Sequence, residues 1–168
     1  MIERHLPVLL DTGPLSTLCG FPVTDRPYIY TVLQLAEIML AEGVIVEAGR
    51  GKIWRTVAPL LNSGDIKKAS TTTITTALDT AYSKDLGLGE RATIKAALEM
   101  ELTPVIDDKD AFIVACRFGL HPIGFQDWIV RLVREHDLPR ETGIEIVQVT
   151  SSQYPRMFLA HTLEMLAE

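Results

Sequence analysis

The chain has no surplus of positive charge: 16 lysines and arginines stand against 22 aspartates and glutamates, a net charge of −6. A general basic footprint for nucleic acid is therefore missing. Any contact with phosphate needs local basic patches or bound cations. Cysteine is scarce, and its two copies, Cys19 and Cys116, have neither metal-ligand spacing nor the numbers of a disulfide framework, which fits a reducing compartment. The four histidines, His5, His121, His136 and His161, form no close-spaced pair, which argues against zinc. Long apolar runs are also missing. Tyr28–Val46 is interrupted by Glu37 and Glu42, so it makes a poor membrane span. Leu6–Leu10, preceded by Glu3 and cut by Asp11, makes a poor signal peptide. There is no internal repeat, low-complexity tract or linker. The expectation is a cytoplasmic chain with no membrane attachment, one domain over residues 1–168.

What the chain does have is enough apolar material for a core, 47% of its 168 residues. The continuous run Pro7-Val8-Leu9-Leu10 ends in Asp11 and reads as a buried parallel strand. Thr12 is placed to cap a short helix with Pro14 in its first turn. Tyr28-Ile29-Tyr30-Thr31 has strand character, and Val32 to Glu42 reads as a helix closed by Gly43, with Glu37 in its middle. Val44–Leu61 reads as a further helix, Ile66–Thr76 as a threonine-rich segment holding a strand, and Thr76–Lys84 as a helix. Val105-Ile106 is a short strand, followed by helices over Ala111–Phe118 and Phe125–Glu135, with a short strand at 121–124 between them. Leu138–Gly143 reads as a loop and Ile144–Val149 as a strand. Ser151 or Ser152 caps a last amphipathic helix bearing Phe158, Leu159, Leu163 and Leu166. Strands alternating with helices predict an α/β fold, an α/β/α sandwich with a mainly parallel central sheet.

Ligands in such sheets bind beyond the carboxyl ends of the strands. Acidic residues recur in that context: Asp11 ends the first strand, Glu37 lies after the second, Glu90 opens the helix after Gly87-Leu88-Gly89, and Asp107-Asp108 end a later strand. Each has a plain structural role open to it: an exposed helix face for Glu37, a helix-dipole partner for Glu90, a turn and N-cap for the aspartate pair. Several carboxylates without a His or Cys cluster suit a hard cation, Mg²⁺ or Mn²⁺. Such an ion generates hydroxide from bound water and neutralises phosphate charge. The basic residues nearest in sequence to these acids, Arg50, Lys52, Arg55, Arg91 and Lys95, are the candidate substrate contacts.

Four stretches carry a family resemblance: Leu9-Leu10-Asp11-Thr12-Gly13-Pro14-Leu15, the segment from Ile29 to Glu37, Leu86-Gly87-Leu88-Gly89-Glu90-Arg91-Ala92, and Val105-Ile106-Asp107-Asp108-Lys109. In this order they resemble the PIN domain, the metal-dependent ribonuclease fold of VapC-type toxins and RNA-processing nucleases. The match covers about residues 7–133 and leaves 138–168 as a C-terminal strand and helix extension. The resemblance implies catalytic roles for Asp11, Glu37, Glu90, Asp107 and Asp108, with metal held by Asp11, Glu90, Asp107 and Asp108. It implies an endoribonuclease acting on RNA, with an antitoxin protein or a homo-oligomer as further partners. Phe112 and Phe125 depart from the family pattern, where Arg and Thr or Ser are common. Three alternatives stand beside this one: a phosphorelay receiver, a PIN-like binding scaffold without catalysis, and another metal-dependent phosphoryl-transfer enzyme.

Overall fold

The structure is a computed structural model that describes residues 7–20, 22–23, 26–71 and 76–168. His5 and the threonine-rich positions 72–75 lie outside the described residues. In chain order the elements are β1 (Val8–Leu10), α1 (Thr12–Gly20), β2 (Pro22–Val23), β3 (Arg26–Pro27), α2 (Ile29–Val32), β4 (Ile38–Ala41), α3 (Glu42–Gly49), α4 (Trp54–Ser63) and β5 (Ile66–Ala69). They continue with α5 (Thr76–Ala81), α6 (Leu88–Met100), β6 (Thr103–Val105), α7 (Lys109–Arg117), α8 (Phe125–Glu135), α9 (Arg140–Val149) and α10 (Arg156–Ala167).

Four parallel strands form one sheet in the order β5-β4-β1-β6, flanked by helices as an α/β/α sandwich. Ile123 adds a single parallel bridge beside Val105. The chain builds outward from β1 through β4 to β5, then returns to the other side of β1 for β6. The order therefore reverses at β1, and the crevice of an open α/β sheet lies at such a switch point, beyond the carboxyl ends of the strands. Every residue of β1 and β4 is buried, which explains why both read as continuous apolar runs rather than alternating ones. Among the described residues no helix is long and apolar enough to cross a membrane.

One difference from the expected element order relocates Glu37. Tyr28–Thr31 is not a strand: Ile29–Val32 is a short helix, and the second strand of the sheet is Ile38–Ala41, where a helix was expected. A short buried apolar run has no periodicity to tell strand from helix. Glu37 is consequently not mid-helix. It sits in extended chain just before β4, where its carbonyl accepts from Val8 N (2.9 Å). That is the amino end of the sheet, away from Asp11, and its carboxylate pairs with Lys67 at 3.0 Å.

Gly43 does not close a helix either. It lies in the first turn of α3, where a Cβ would meet Leu88 O at 2.5 Å and Ala92 Cβ at 2.7 Å. The missing side chain is what lets α3 and α6 approach. The expected helix Val44–Leu61 is two helices, broken between Gly49 and Trp54. The C-terminal extension contains no strand: Ile144–Val149 belongs to α9, a single 3-10 turn follows at Ser151–Gln153, and α10 begins at Arg156 rather than beside the serines. The partial alternation of Ile144-Glu145-Ile146-Val147 fits either period. Tertiary packing decides it, because α9 lies against both α8 and α10, with Gly143 hard against Val133.

Candidate active site

The carboxyl ends of β1 and β6 put Asp11 and Asp108 on one edge, and the two helices packed over that edge supply Glu47 from α3 and Glu90 from α6. Asp11 follows β1 directly, its backbone tied to Val105 O (3.1 Å). It is 3% exposed, and its Oδ1 has no hydrogen-bond partner. Burial without that partner raises its pKa from 3.8 to about 7. The Thr12 backbone N–H pulls the other way, and the charges of Glu90, Glu47 and Asp108 add to the rise. The three carboxylates that Asp11 feels mark out the cluster.

Each of the other acids is held by a specific donor. Glu47 Oε2 accepts from the Thr12 hydroxyl (2.5 Å) and Oε1 from Gly89 N (2.9 Å), so one side chain joins α1, α3 and α6. Gly89 has to be glycine here: a Cβ would collide with Glu47 Oε2 and lie 2.6 Å from Thr12 Oγ1. Glu90, three residues into its helix, reaches back to accept from Gly87 N (2.7 Å), the carboxylate half of a capping box. Its pKa is raised by burial first, countered by that backbone bond, and raised further by Asp108, Glu47 and Asp110. Asp108 caps α7, its Oδ1 accepting from Asp110 N and Ala111 N (both 2.9 Å).

Asp107 differs from its neighbour. Its Oδ1 accepts from Phe125 N (2.9 Å) and its Oδ2 from the Tyr154 hydroxyl (2.6 Å), so both oxygens are engaged. Burial of the carboxylate pushes its pKa up, while these two bonds pull it down. The residue as a whole stays exposed, which lets water screen that rise and leaves the hydrogen bonds as the firmer fact. Asp107 is not among the charges that act on Asp11. It fixes the loop and the C-terminal segment, whereas Asp108 faces the cluster.

Of the acids singled out from sequence, Asp11, Glu90 and Asp108 are brought together, Asp107 stands beside them, and Glu37 lies at the other end of the sheet. Glu47 takes the position that Glu37 was assigned. Its signal was present: an acid on the helix after the second strand, visible once that strand is placed at Ile38–Ala41. Among the basic candidates, Arg91 and Lys95 both pair with Asp79, while Arg50, Lys52 and Arg55 lie exposed at and beyond the end of α3.

No family model, curated protein or solved structure matches the chain. As the side chains stand, no three His, Cys, Asp or Glu among the described residues are disposed to hold a metal ion. Glu90 Oε2, Glu47 Oε1 and Asp108 Oδ1 are each turned onto a backbone N–H, and Asp11 Oδ1 is the buried carboxylate oxygen of the cluster without a partner.

Proposed function

We propose that the chain is a metal-dependent endoribonuclease of the PIN type, with Asp11, Glu47, Glu90 and Asp108 as its catalytic carboxylates. The observation that carries this is the burial of Asp11 with an unpartnered oxygen in the field of three further acids. A fold kept only as a scaffold has no use for a carboxyl that resists ionisation and repels its neighbours. A hard cation relieves both conditions, and oxygen donors without sulfur or imidazole suit Mg²⁺ or Mn²⁺. Bound among these four residues, the cation would supply an acidified water and charge neutralisation at the phosphodiester.

The chain's own part is electrostatic and positional. Asp11 Oδ1, buried and without a partner, is the oxygen that would face the cation, and a cation there would favour the ionised carboxylate that burial otherwise opposes. Glu47 locks the Thr12 hydroxyl and the Gly89 amide into one rigid edge, so the acids need little reorganisation when substrate arrives. In this reading the enzyme works on cytoplasmic RNA, as the toxin of a toxin–antitoxin pair or in RNA processing.

The test is cleavage of a labelled RNA with Mg²⁺ or Mn²⁺, against chelator-treated protein and the variants Glu47→Gln and Glu90→Gln. Loss of cleavage in all three supports the assignment. Full cleavage by verified metal-free protein, or wild-type rates in both variants, overturns it.

A further inference from the structure

The turn between α3 and α4 gathers three cations and an exposed indole ring at the rim of the acidic cluster. We propose that this turn is the track that holds the RNA as a single strand, with Arg50, Lys52 and Arg55 on its phosphates and Trp54 stacked on one base. The proposal rests on the ribonuclease reading for the identity of its occupant.

The turn is continuous with the cluster. Glu47 reaches the first turns of α1 and α6, at Thr12 and Gly89, and α3 ends two residues later at Gly49. Arg50 N donates to Glu47 O (3.1 Å), Gly51 N to Ala48 O (3.0 Å) and Trp54 N to Gly51 O (3.3 Å). Residues 50–53 are therefore bonded back onto the helix that carries Glu47, and Arg50 stands about 5 Å beyond it along the axis. Val57 and Leu60 bury the inner side of α4. Trp54, at the start of that helix, stays 36% exposed.

Charge is the second, independent observation. From Ala48 to Gly64 the chain carries no acid, and Arg50, Lys52 and Arg55 are all exposed. Among the described residues none of the ion pairs involves any of the three. Arg91 and Lys95 differ: both pair with Asp79, and Arg91 also donates to Gly87 O (3.4 Å). Unpaired cations in a chain of net charge −6 lower the cost of bringing a polyanion up to four carboxylates. The strand accordingly approaches over the α3–α4 turn and not over Arg91 and Lys95.

A single lone ring on a surface needs no explanation, but a ring set among three unpaired cations selects its partner. The phosphates of a strand answer the cations, and a splayed base covers the indole face. A base inside a duplex already has both faces stacked, so the strand is single where it crosses Trp54. An acidic peptide would answer the cations and leave Trp54 bare.

Trp54 is its own reporter. The chain's second tryptophan, Trp128, is 3% exposed, so quenching by a stacked base reads Trp54 alone. The experiment titrates a short RNA of mixed, non-pairing sequence into the full-length protein in chelator, with polyphosphate and polyglutamate as anions without bases. The expected result is saturable quenching by RNA and none by either polymer. RNA affinity should fall roughly tenfold in Trp54→Ala, about the value of one lost stacking contact, and recover in Trp54→Phe, with the salt dependence unchanged in both. Arg50→Ala, Lys52→Ala and Arg55→Ala should each flatten the slope of log affinity against log salt by about 0.7, and Lys95→Ala should not. The three cations are exposed, so their substitution leaves the fold intact, and the quenching itself needs no variant. RNA saturation without quenching, or wild-type salt slopes in the three cation variants, overturns the track. Polyglutamate binding as tightly as RNA at the same salt also overturns it, in favour of an acidic protein partner. RNA cleavage without quenching sinks the track alone, and quenching with the expected slopes but no cleavage in Mn²⁺ sinks the nuclease reading alone.

Discussion

The Tyr154 hydroxyl donates to Asp107 Oδ2 at 2.6 Å across 47 residues of sequence. That bond ties the C-terminal segment to the edge of the sheet, next to the residue that faces the acid cluster. A further bond from Thr17 to Gln153 (2.7 Å) joins the same segment to α1. The C-terminal helices are thus fastened to the site, and Asp107 spends its carboxylate on that fastening.

Removing the Tyr154 hydroxyl separates the roles of the two neighbouring aspartates. Tyr154→Phe should cost about 1–3 kcal/mol, the value of a hydrogen bond to a charged group, and leave metal affinity within about threefold of wild type. Asp108→Asn should do the reverse, since asparagine caps a helix nearly as well as aspartate but brings no charge. Paired denaturation curves and Mn²⁺ titrations check this. Strong loss of metal affinity in Tyr154→Phe would put Asp107 among the ligands.

Glu37 and Glu47 make a second contrast. Glu47→Gln keeps the shape of the side chain but removes its charge from beside Asp11, and should lower RNA cleavage on the order of 10²–10³-fold. Glu37→Gln should leave cleavage unchanged and cost no more than about 1 kcal/mol, because its partner Lys67 is more than half exposed. Single-turnover rates for both variants decide it; equal effects would mean that overall charge, and not the place of Glu47 beside Asp11, governs activity.

These contrasts also mark what the sequence made legible. The parallel α/β class followed from Val8–Leu10 and Val105-Ile106 ending in acids, and Gly87-Leu88-Gly89-Glu90 announced its helix because a capping acid after glycines has few other uses. Glu47 was missed because Ile38–Ala41 and Tyr28–Thr31 are both short apolar runs. Only the pairing of Val8 with Ile38 and Leu9 with Met39 says which one joins the sheet. Tyr154 was illegible for a different reason. Its value lies in a contact 47 residues away, and the strand expected at Ile144–Val149 would have aimed it elsewhere.

Gly89 is where the backbone itself is part of the site. Gly89→Ala should displace the Glu47 carboxylate and the Thr12 hydroxyl together, since the new Cβ would lie 2.6 Å from Thr12 Oγ1. The expected cost is about 1–3 kcal/mol of stability with cleavage falling at least as far as in Glu47→Gln. Gly49→Ala, with open space around the Cβ, is the control that should change neither. Thermal melts beside cleavage rates distinguish a lost site from a lost fold.

The pH dependence of stability tests Asp11 without reference to any reaction. In the folded chain its carboxyl titrates near 7, against an ordinary value of 3.8. Below about pH 4 it is protonated in both folded and unfolded states and makes no difference between them. As pH rises from there toward 7 the unfolded chain gives up the proton and the folded chain keeps it. The folded state therefore loses stability through that window, by about 4 kcal/mol in total. Asp11→Asn has no proton to lose, so in chelator its stability should be flatter between pH 4 and 7, with the variant gaining on wild type as pH rises. The slope is the diagnostic quantity, because the buried amide brings a pH-independent cost of its own. Adding Mn²⁺ at pH 7 should reverse the order, stabilising wild type and leaving the variant nearly unmoved. Chemical denaturation at four or five pH values, with and without the ion, measures both effects. Parallel pH curves for the two proteins would mean that Asp11 ionises freely in the fold, and would remove the observation on which the nuclease reading rests.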